Sequence, residues 1–414
     1  MKISIVSDLH LGDPLCALAP ENPGQYPSKL ENFEEAVGSG NNYLILLGDI
    51  FDFSIRSYAE VYAEAKKFFS YIQSRNLAEN ILYVPGNHDF SFWHWLEHEV
   101  NIVRLIREGK PPRPFKRSAP GFFDLRTEPE YNDLELVGTT KPYGDIFLRY
   151  LTPEGLKICV AYPNVYLFTG DETVLLSHGH YLEPFWSLVS EYGPKIFGPD
   201  LAGDELDLRE LVGVNFPNNQ LASSGIGQAE PLTPLIRKLQ RNIKDNELGD
   251  LKRYLSNLAD KVVDPLFEGN FITEPLTDKL IDWLKGKLLE CIREQKTARV
   301  KNELRDESPE KPPFMSEEGT RNRLETFYRA SQWEMEEIGV NLGIRLPPPR
   351  QCIIGHTHSP IPWGATDRNN KFRLAGERVL LFNTGGWLYR KNGDFCGAEV
   401  FRWNGFAMSS VSIT

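Results

Sequence analysis

Ile3-Ser-Ile-Val-Ser-Asp-Leu-His-Leu-Gly12 is an apolar run that ends abruptly in an acid, an imidazole and a glycine. The run has the length of a buried strand, and its polar residues fall where the chain must turn. The same grammar returns in Tyr43-Leu-Ile-Leu-Leu-Gly-Asp-Ile-Phe-Asp-Phe53 and in Ile81-Leu-Tyr-Val-Pro-Gly-Asn-His-Asp89. Helical stretches lie between them. Ser28 and Glu31 are spaced as a capping box for a helix running to Gly38. Ser57 and Glu60 start another, with Val61, Ala65, Phe68, Phe69 and Ile72 on one face. Strand, helix, strand, helix, strand is the rhythm of a parallel sheet in an α/β fold.

Further strands are expected at Lys157–Tyr162, Thr173–Ser177, Gln351–Ile354, Val379–Phe382 and Ala398–Trp403. Between these groups the period changes to that of helices. Leu235, Ile236, Leu239 and Ile243 share a face, as do Leu280, Leu284, Leu288 and Cys291, and then Leu324, Phe327, Tyr328, Met335 and Ile338. Residues 185–345 therefore read as a mainly helical insertion in a core made of 1–184 and 346–414. The stiff Leu346-Pro-Pro-Pro-Arg350 returns the chain to that core. The insertion leaves after one polar motif and rejoins before the next, so it is expected to cap the site, with Trp186, Phe197, Trp283 and Trp333 available for an apolar group. Segments 217–227 and 306–313 read as loops, and 110–120 as a basic, Pro-rich irregular stretch.

Five strands end in polar motifs: Ser7-Asp-Leu-His10, Gly48-Asp-Ile-Phe-Asp52, Gly86-Asn-His-Asp89, Ser177-His-Gly-His180 and Gly355-His-Thr-His358. Loops at the carboxyl ends of strands in an open α/β sheet face one crevice, so five such motifs can meet at a common centre. Taken singly each admits a plainer reading, Asp8 as a helix cap or Gly-Asn-His as a turn. The chain holds 8 histidines, and the motifs use all but His94 and His98. Carboxylate, imidazole and amide oxygen without thiolate suit Mn²⁺, Fe or Zn²⁺. His94-Trp-Leu-Glu-His98 matches the HxxEH pattern of one metalloprotease group, but no further residues support a separate zinc site.

Composition sets outer bounds. The 414 residues, 25% charged and 41% hydrophobic, can bury a full core without staples. A net charge of -11 and a pI near 5.4 disfavour extended nucleic-acid binding, which relies on many cations. The five cysteines are far apart and show no CxxC pairing, so they read as reduced thiols. Met1 leads straight into a strand too short for a signal sequence, which places the protein in the cytoplasm, and any membrane or lipid contact would be peripheral.

The ordered set DxH, GDxxD, GNHD, HGH and GHTH resembles the calcineurin-like metallophosphoesterase superfamily, with the motifs spread over 1–184 and 347–390. The resemblance implies a two-sheet αββα sandwich with two divalent ions at the strand ends, manganese foremost and iron or zinc as alternatives. It implies Asp8, His10, Asp49 and His358 as ligands of a first ion, and Asp49, Asn87, His178 and His356 of a second, with Asp49 as the bridge. Two such ions lower the pKa of a shared water and clamp the phosphoryl oxygens. His88, beside a ligand, is then the expected proton donor to the leaving oxygen, and Asp52 its orienting carboxylate. His180 and Asp89 are expected in contact with substrate or behind the ligands.

Protein phosphatases of the superfamily carry arginines where this chain has Phe53 and Pro85, which disfavours a phosphoprotein substrate. Closer likeness is to the UDP-2,3-diacylglucosamine hydrolase branch, through residues 7–12, 48–53, 355–360 and Asn383-Thr-Gly-Gly-Trp387. That branch is shorter and commonly has Arg in place of His88. The expected activity is hydrolysis of a small phosphate ester or anhydride, on a nucleotide, lipid or sugar phosphate. A nuclease is the alternative enzyme, and a non-catalytic scaffold of the same fold is disfavoured by the intact His88.

Overall fold

Strand alternation assigns each side chain a layer. The computed structural model describes residues 1–54, 56–127, 150–183, 186–187, 190, 206–220, 302–303, 306–307, 318–365, 370–390 and 392–414. In the first sheet β1 (Ile3–Val6) runs parallel to β2 (Asn41–Leu47), β2 to β3 (Ala78–Val84), and β3 to β5 (Lys157–Val160). Antiparallel β13 (Ala398–Trp403) and β14 (Met408–Ile413) extend it beyond β1. The second sheet has β10 (Gln351–Ile354) at its centre, parallel to both β7 (Thr173–Ser177) and β12 (Glu377–Asn383). β6 (Asn164–Phe168) then β4 (Gly121–Asp124) complete one side, and β11 (Lys371–Leu374) the other.

Ile3, Ile5, Tyr43, Ile45 and Leu47 of the first sheet share one buried cluster with Val174, Leu176 and Ile353 of the second. Alternate residues Val6, Leu44 and Leu46 point the other way, into the cluster that holds the helices. Both faces are covered, which is why these strands read as unbroken apolar runs. The architecture is the expected αββα sandwich of two six-stranded sheets with helices.

α2 (Tyr58–Ser74) begins with the expected capping box, and the Ser57 N–H donates to Glu60 Oε2 at 2.9 Å. It buries Val61, Ala65, Phe68, Phe69 and Ile72, as their spacing predicts. α1 (Leu30–Val37) differs from expectation, since it starts two residues late and has Lys29 at its N-cap. The Ser28 hydroxyl donates to the Leu18 carbonyl at 3.2 Å and accepts the Leu30 N–H at 3.3 Å, and it forms no capping box with Glu31. α3 (Ser91–His98) follows the third motif and continues through a π-helical turn into α4 (Arg104–Arg107).

The chain divides into one unit of Met1–Gln228 with Pro313–Thr414 and another of Ala229–Pro312. In the second the described residues are a short hairpin, β8 (Asn302–Glu303) with β9 (Asp306–Glu307), where a loop is expected from residue 306. The first unit includes α5 (Leu208–Gln220) and α6 (Glu318–Leu342), both inside the stretch 185–345. α5 runs through Pro217, expected in a loop; the proline has no N–H to give the Gly213 carbonyl, and the helix ends three residues further on at Gln220. α6 carries Leu324, Phe327, Tyr328, Met335 and Ile338 into the core, as their period predicts. The helical faces expected at 235–243 and 280–291, with Phe197 and Trp283, lie outside the described residues. Among the described residues no helix is long and apolar enough to cross a membrane.

α6 also brings a carboxyl group into the interior. The Tyr166 hydroxyl donates to Glu334 Oε2 at 2.9 Å, the Asn164 amide does so at 3.3 Å, and the Ser118 hydroxyl donates to Oε1. Burial, only partly offset by these donors, pushes Glu334 up to about 7 from a usual 4.5. A carboxyl whose pKa is higher folded than unfolded keeps its proton in the native state after the unfolded chain has lost it, so stability falls as pH rises from about 4.5 to about 7 and is level above. E334Q should therefore show a shallower fall in Tm than the wild type between about pH 5 and about pH 8. Parallel Tm-against-pH curves for the two proteins would assign the effect elsewhere.

Candidate metal centre

Each polar motif sits just past a strand: Asp8 and His10 after β1, Asp49 after β2, Asn87 and His88 after β3, His178 after β7, His356 and His358 after β10. The turns are severe. Asp8, His10, Asp49, His356 and His358 all adopt positive φ, between 48° and 68°. Non-glycine residues hold that conformation at a cost of about 1–3 kcal/mol each, and such strain gathers at functional sites. Gly86 is needed for space, because a Cβ there would overlap the Asp49 carboxylate and stand 2.8 Å from His178 Nε2.

The side chains converge as two groups. Asp8, His10 and His358 offer ligand atoms within 4.8 Å of one another, and Asp49, His178 and His356 do the same. In the first, His358 Nε2 lies 3.2 Å from Asp8 Oδ1 and 3.1 Å from His10 Nε2. In the second, His178 Nε2 lies 3.1 Å from both Asp49 Oδ2 and Asn87 Oδ1. Asp49 reaches towards both, with Oδ2 3.9 Å from His10 Nε2 and Oδ1 accepting the His88 N–H at 2.8 Å. Lone-pair atoms facing one another at such distances are what a cation between them would satisfy, and the donors are the oxygens and imidazoles that suit divalent transition metals. The residues present fit such ions.

Outer contacts fix the rings. His178 Nδ1–H donates to the Leu47 carbonyl at 3.0 Å, turning Nε2 inward. Asp52 accepts from His10 Nδ1 through Oδ2 and from His88 Nδ1 through Oδ1, each at 3.1 Å. The three therefore also form a cluster, with Asp52 on the far side of His10 from His358. Ser54, not anticipated from the sequence, donates to Asp52 Oδ1 at 2.6 Å and lies 2.9 Å from His88 Nδ1. Asp89 is fully buried. It accepts the N–H groups of Gly86 at 2.6 Å and Ile50 at 2.7 Å, and also the Tyr83 hydroxyl, so it locks the second motif to the third from a position closed to solvent.

His180 is buried beside the site, with Nε2 3.2 Å from the Tyr162 hydroxyl and its ring 5.6 Å from that of His178. Burial first, then the charges of His178 and His356, hold it far below the usual imidazole range, so it is neutral. His94 and His98 stand apart from the centre. Glu97 between them accepts from the Asn101 amide and the Arg117 N–H, and among the described residues the three form no metal-type group.

The electrostatics follow from burial. Asp8, Asp49 and Asp52 are essentially inaccessible, and burial alone would raise them, yet the neighbouring histidines hold all three below the usual carboxylate range. The histidines respond in kind. Burial would lower His10, but bonds to Asp52 and Asp8 push it up to about 10; burial would lower His178, but Asp49 pushes it up to about 9. Asp89 rises to about 6, through burial and then the charge of Asp49.

Residues 1–198 match the model of the calcineurin-like phosphoesterase family. The matched part carries four of the five motifs, and His356 and His358 complete its His and Asp clusters from beyond it; match and clusters together support a metal-dependent phosphoesterase. No curated protein matches the sequence.

His10 and His178 hold protons near neutral pH in the metal-free chain, and a metal must displace them. Titrating Mn²⁺ into stripped protein at about pH 7 should therefore release protons, and affinity should weaken as pH is lowered. Calorimetry in two buffers of different ionisation enthalpy reads this directly. Equal heats in both would show that His10 and His178 are already neutral or take no part.

Proposed function

We propose that the chain is a hydrolase of phosphate esters or anhydrides that works with two divalent ions, Mn²⁺ suiting the donors best and Fe or Zn²⁺ as alternatives. Asp8, His10, Asp49 and His358 would hold one ion, and Asp49, Asn87, His178 and His356 the other. The observation that carries this reading is the position of Asp49, whose carboxylate faces His178 at 3.1 Å and His10 at 3.9 Å, one from each group. Ions so held supply a water of lowered pKa and positive charge for the phosphoryl oxygens.

The protein's own part is positional and acid–base. His88 is the imidazole of this loop that is partly open to solvent, 16% exposed, with Nδ1 held by Asp52 and Ser54. Burial would lower it, but Asp52 and Asp49 outweigh that and raise it above the usual histidine value, which favours the protonated ring. Nε2–H is then the proton it hands to the leaving oxygen, with Asp52 stabilising the imidazolium beforehand. A small phosphorylated substrate accords with the chain's net charge of -11, which disfavours an extended nucleic-acid surface. Assays of phosphomonoesters, phosphodiesters, nucleotide anhydrides and single-stranded DNA with Mn²⁺ test the class, and preferential cleavage of DNA would replace this reading with a nuclease.

Loaded protein should hold about two ions per chain, and D49N should lose both, since a neutral amide does not bridge two dications. Elemental analysis decides it; retention of both ions by D49N with normal turnover would reduce Asp49 to a turn residue. H88N should keep the ions yet slow esters with poor leaving groups by about 10²- to 10⁴-fold. Nitrophenyl esters, whose leaving group departs without protonation, should lose less. Equal losses on both would assign His88 to phosphate binding.

A further inference from the structure

His356 is held differently from the other site histidines. His10 and His178 each commit Nδ1 to a partner behind them, Asp52 and the Leu47 carbonyl, and turn Nε2 inward. In His356 it is Nε2 that is committed, to Glu183 Oε2 at 3.3 Å. Glu183 stands at the exit of a 3-10 turn, His180–Leu182, that follows the fourth motif. Its N–H donates to the His180 carbonyl at 3.0 Å and its carbonyl accepts the Ser187 N–H at 3.3 Å, so its backbone is set by the motif that supplies His178.

We infer that Glu183 is a positioning residue of the second ion's site, whose carboxylate holds the Nε2–H of His356 and so reserves Nδ1 for an ion. The inference rests on the two-ion reading. Glu183 is outside the group of Asp49, His178 and His356 whose ligand atoms converge within 4.8 Å, and its side chain is 19% exposed where those of Asp49 and His178 are 1%. It is therefore bonded to His356 without being one of the converging atoms, as a backing carboxylate is. A carboxylate behind a ligand imidazole fixes its tautomer and raises its basicity, and its removal typically costs about 10- to 100-fold in metal affinity. Neither partner lies in a recognisable joint motif, being 173 residues apart, from 356 minus 183.

The test is Mn²⁺ binding to stripped wild type, E183A and E183Q, followed by chelator competition, with imidazole ¹⁵N spectra of the metal-free proteins. E183A should weaken one of two ions by about 10- to 100-fold and leave the other unchanged. It should also lose the Nε2–H tautomer of His356. E183Q, whose amide oxygen still accepts a hydrogen bond, should recover most of both, which a general packing defect would not. Wild-type affinity for both ions in E183A, with the tautomer kept, overturns the inference. So does loss of one ion from both variants even at saturating Mn²⁺, which would make Glu183 a ligand. Wild-type protein that binds no Mn²⁺ would overturn the two-ion reading itself, a result separable from either of these.

Discussion

Three carboxylates, Asp8, Asp49 and Asp52, are buried together at the ends of two neighbouring strands, and the rest of the site answers that charge. Like charges taken out of water are tolerated only when opposite charge is supplied close by. In the chain by itself His10 and His178 supply it as imidazolium. The same demand explains the cost accepted in the backbone, with five site residues held at positive φ so that their side chains point into one small volume. It also explains Asp89. Bonded to backbone N–H groups from two motifs, it clamps those loops at the spacing the carboxylates need.

Much of this was legible in the sequence, for a local reason. A buried parallel strand is an apolar run, and each one here ends in the residues that matter, so β1, β2, β3, β7 and β10 and their motifs could be read together. The strands that escaped notice are of other kinds. β14, Met-Ser-Ser-Val-Ser-Ile, is a half-exposed edge strand with little apolar pattern, and β11 is another edge with its side chains largely in water. β4 and β6 are short runs hidden behind proline-containing segments.

Within the site, the residues bearing ligand chemistry announced themselves by type and spacing, whereas their supports did not. Ser54 could only be found once the second motif curled back on His88, and the Leu47 carbonyl has no side-chain signature at all. Asp52 was read as a partner of His88; its second bond, to His10, needs the first and second motifs to be side by side. Ser28 misled for the converse reason, since a capping spacing does not fix the register: its oxygen accepts the Leu30 N–H, but the N-cap falls at Lys29.

Both convergent groups draw on the two ends of the chain: Asp8 and His10 meet His358, while Asp49 and His178 meet His356. During synthesis the first three motifs emerge early and can fold onto parallel neighbours, but one group is not whole until residue 356, and the other until residue 358, has left the ribosome. A nascent or truncated polypeptide would thus expose acids and imidazoles without the geometry to grip a cation. A chain cut short of His356 would lack one member of each convergent group.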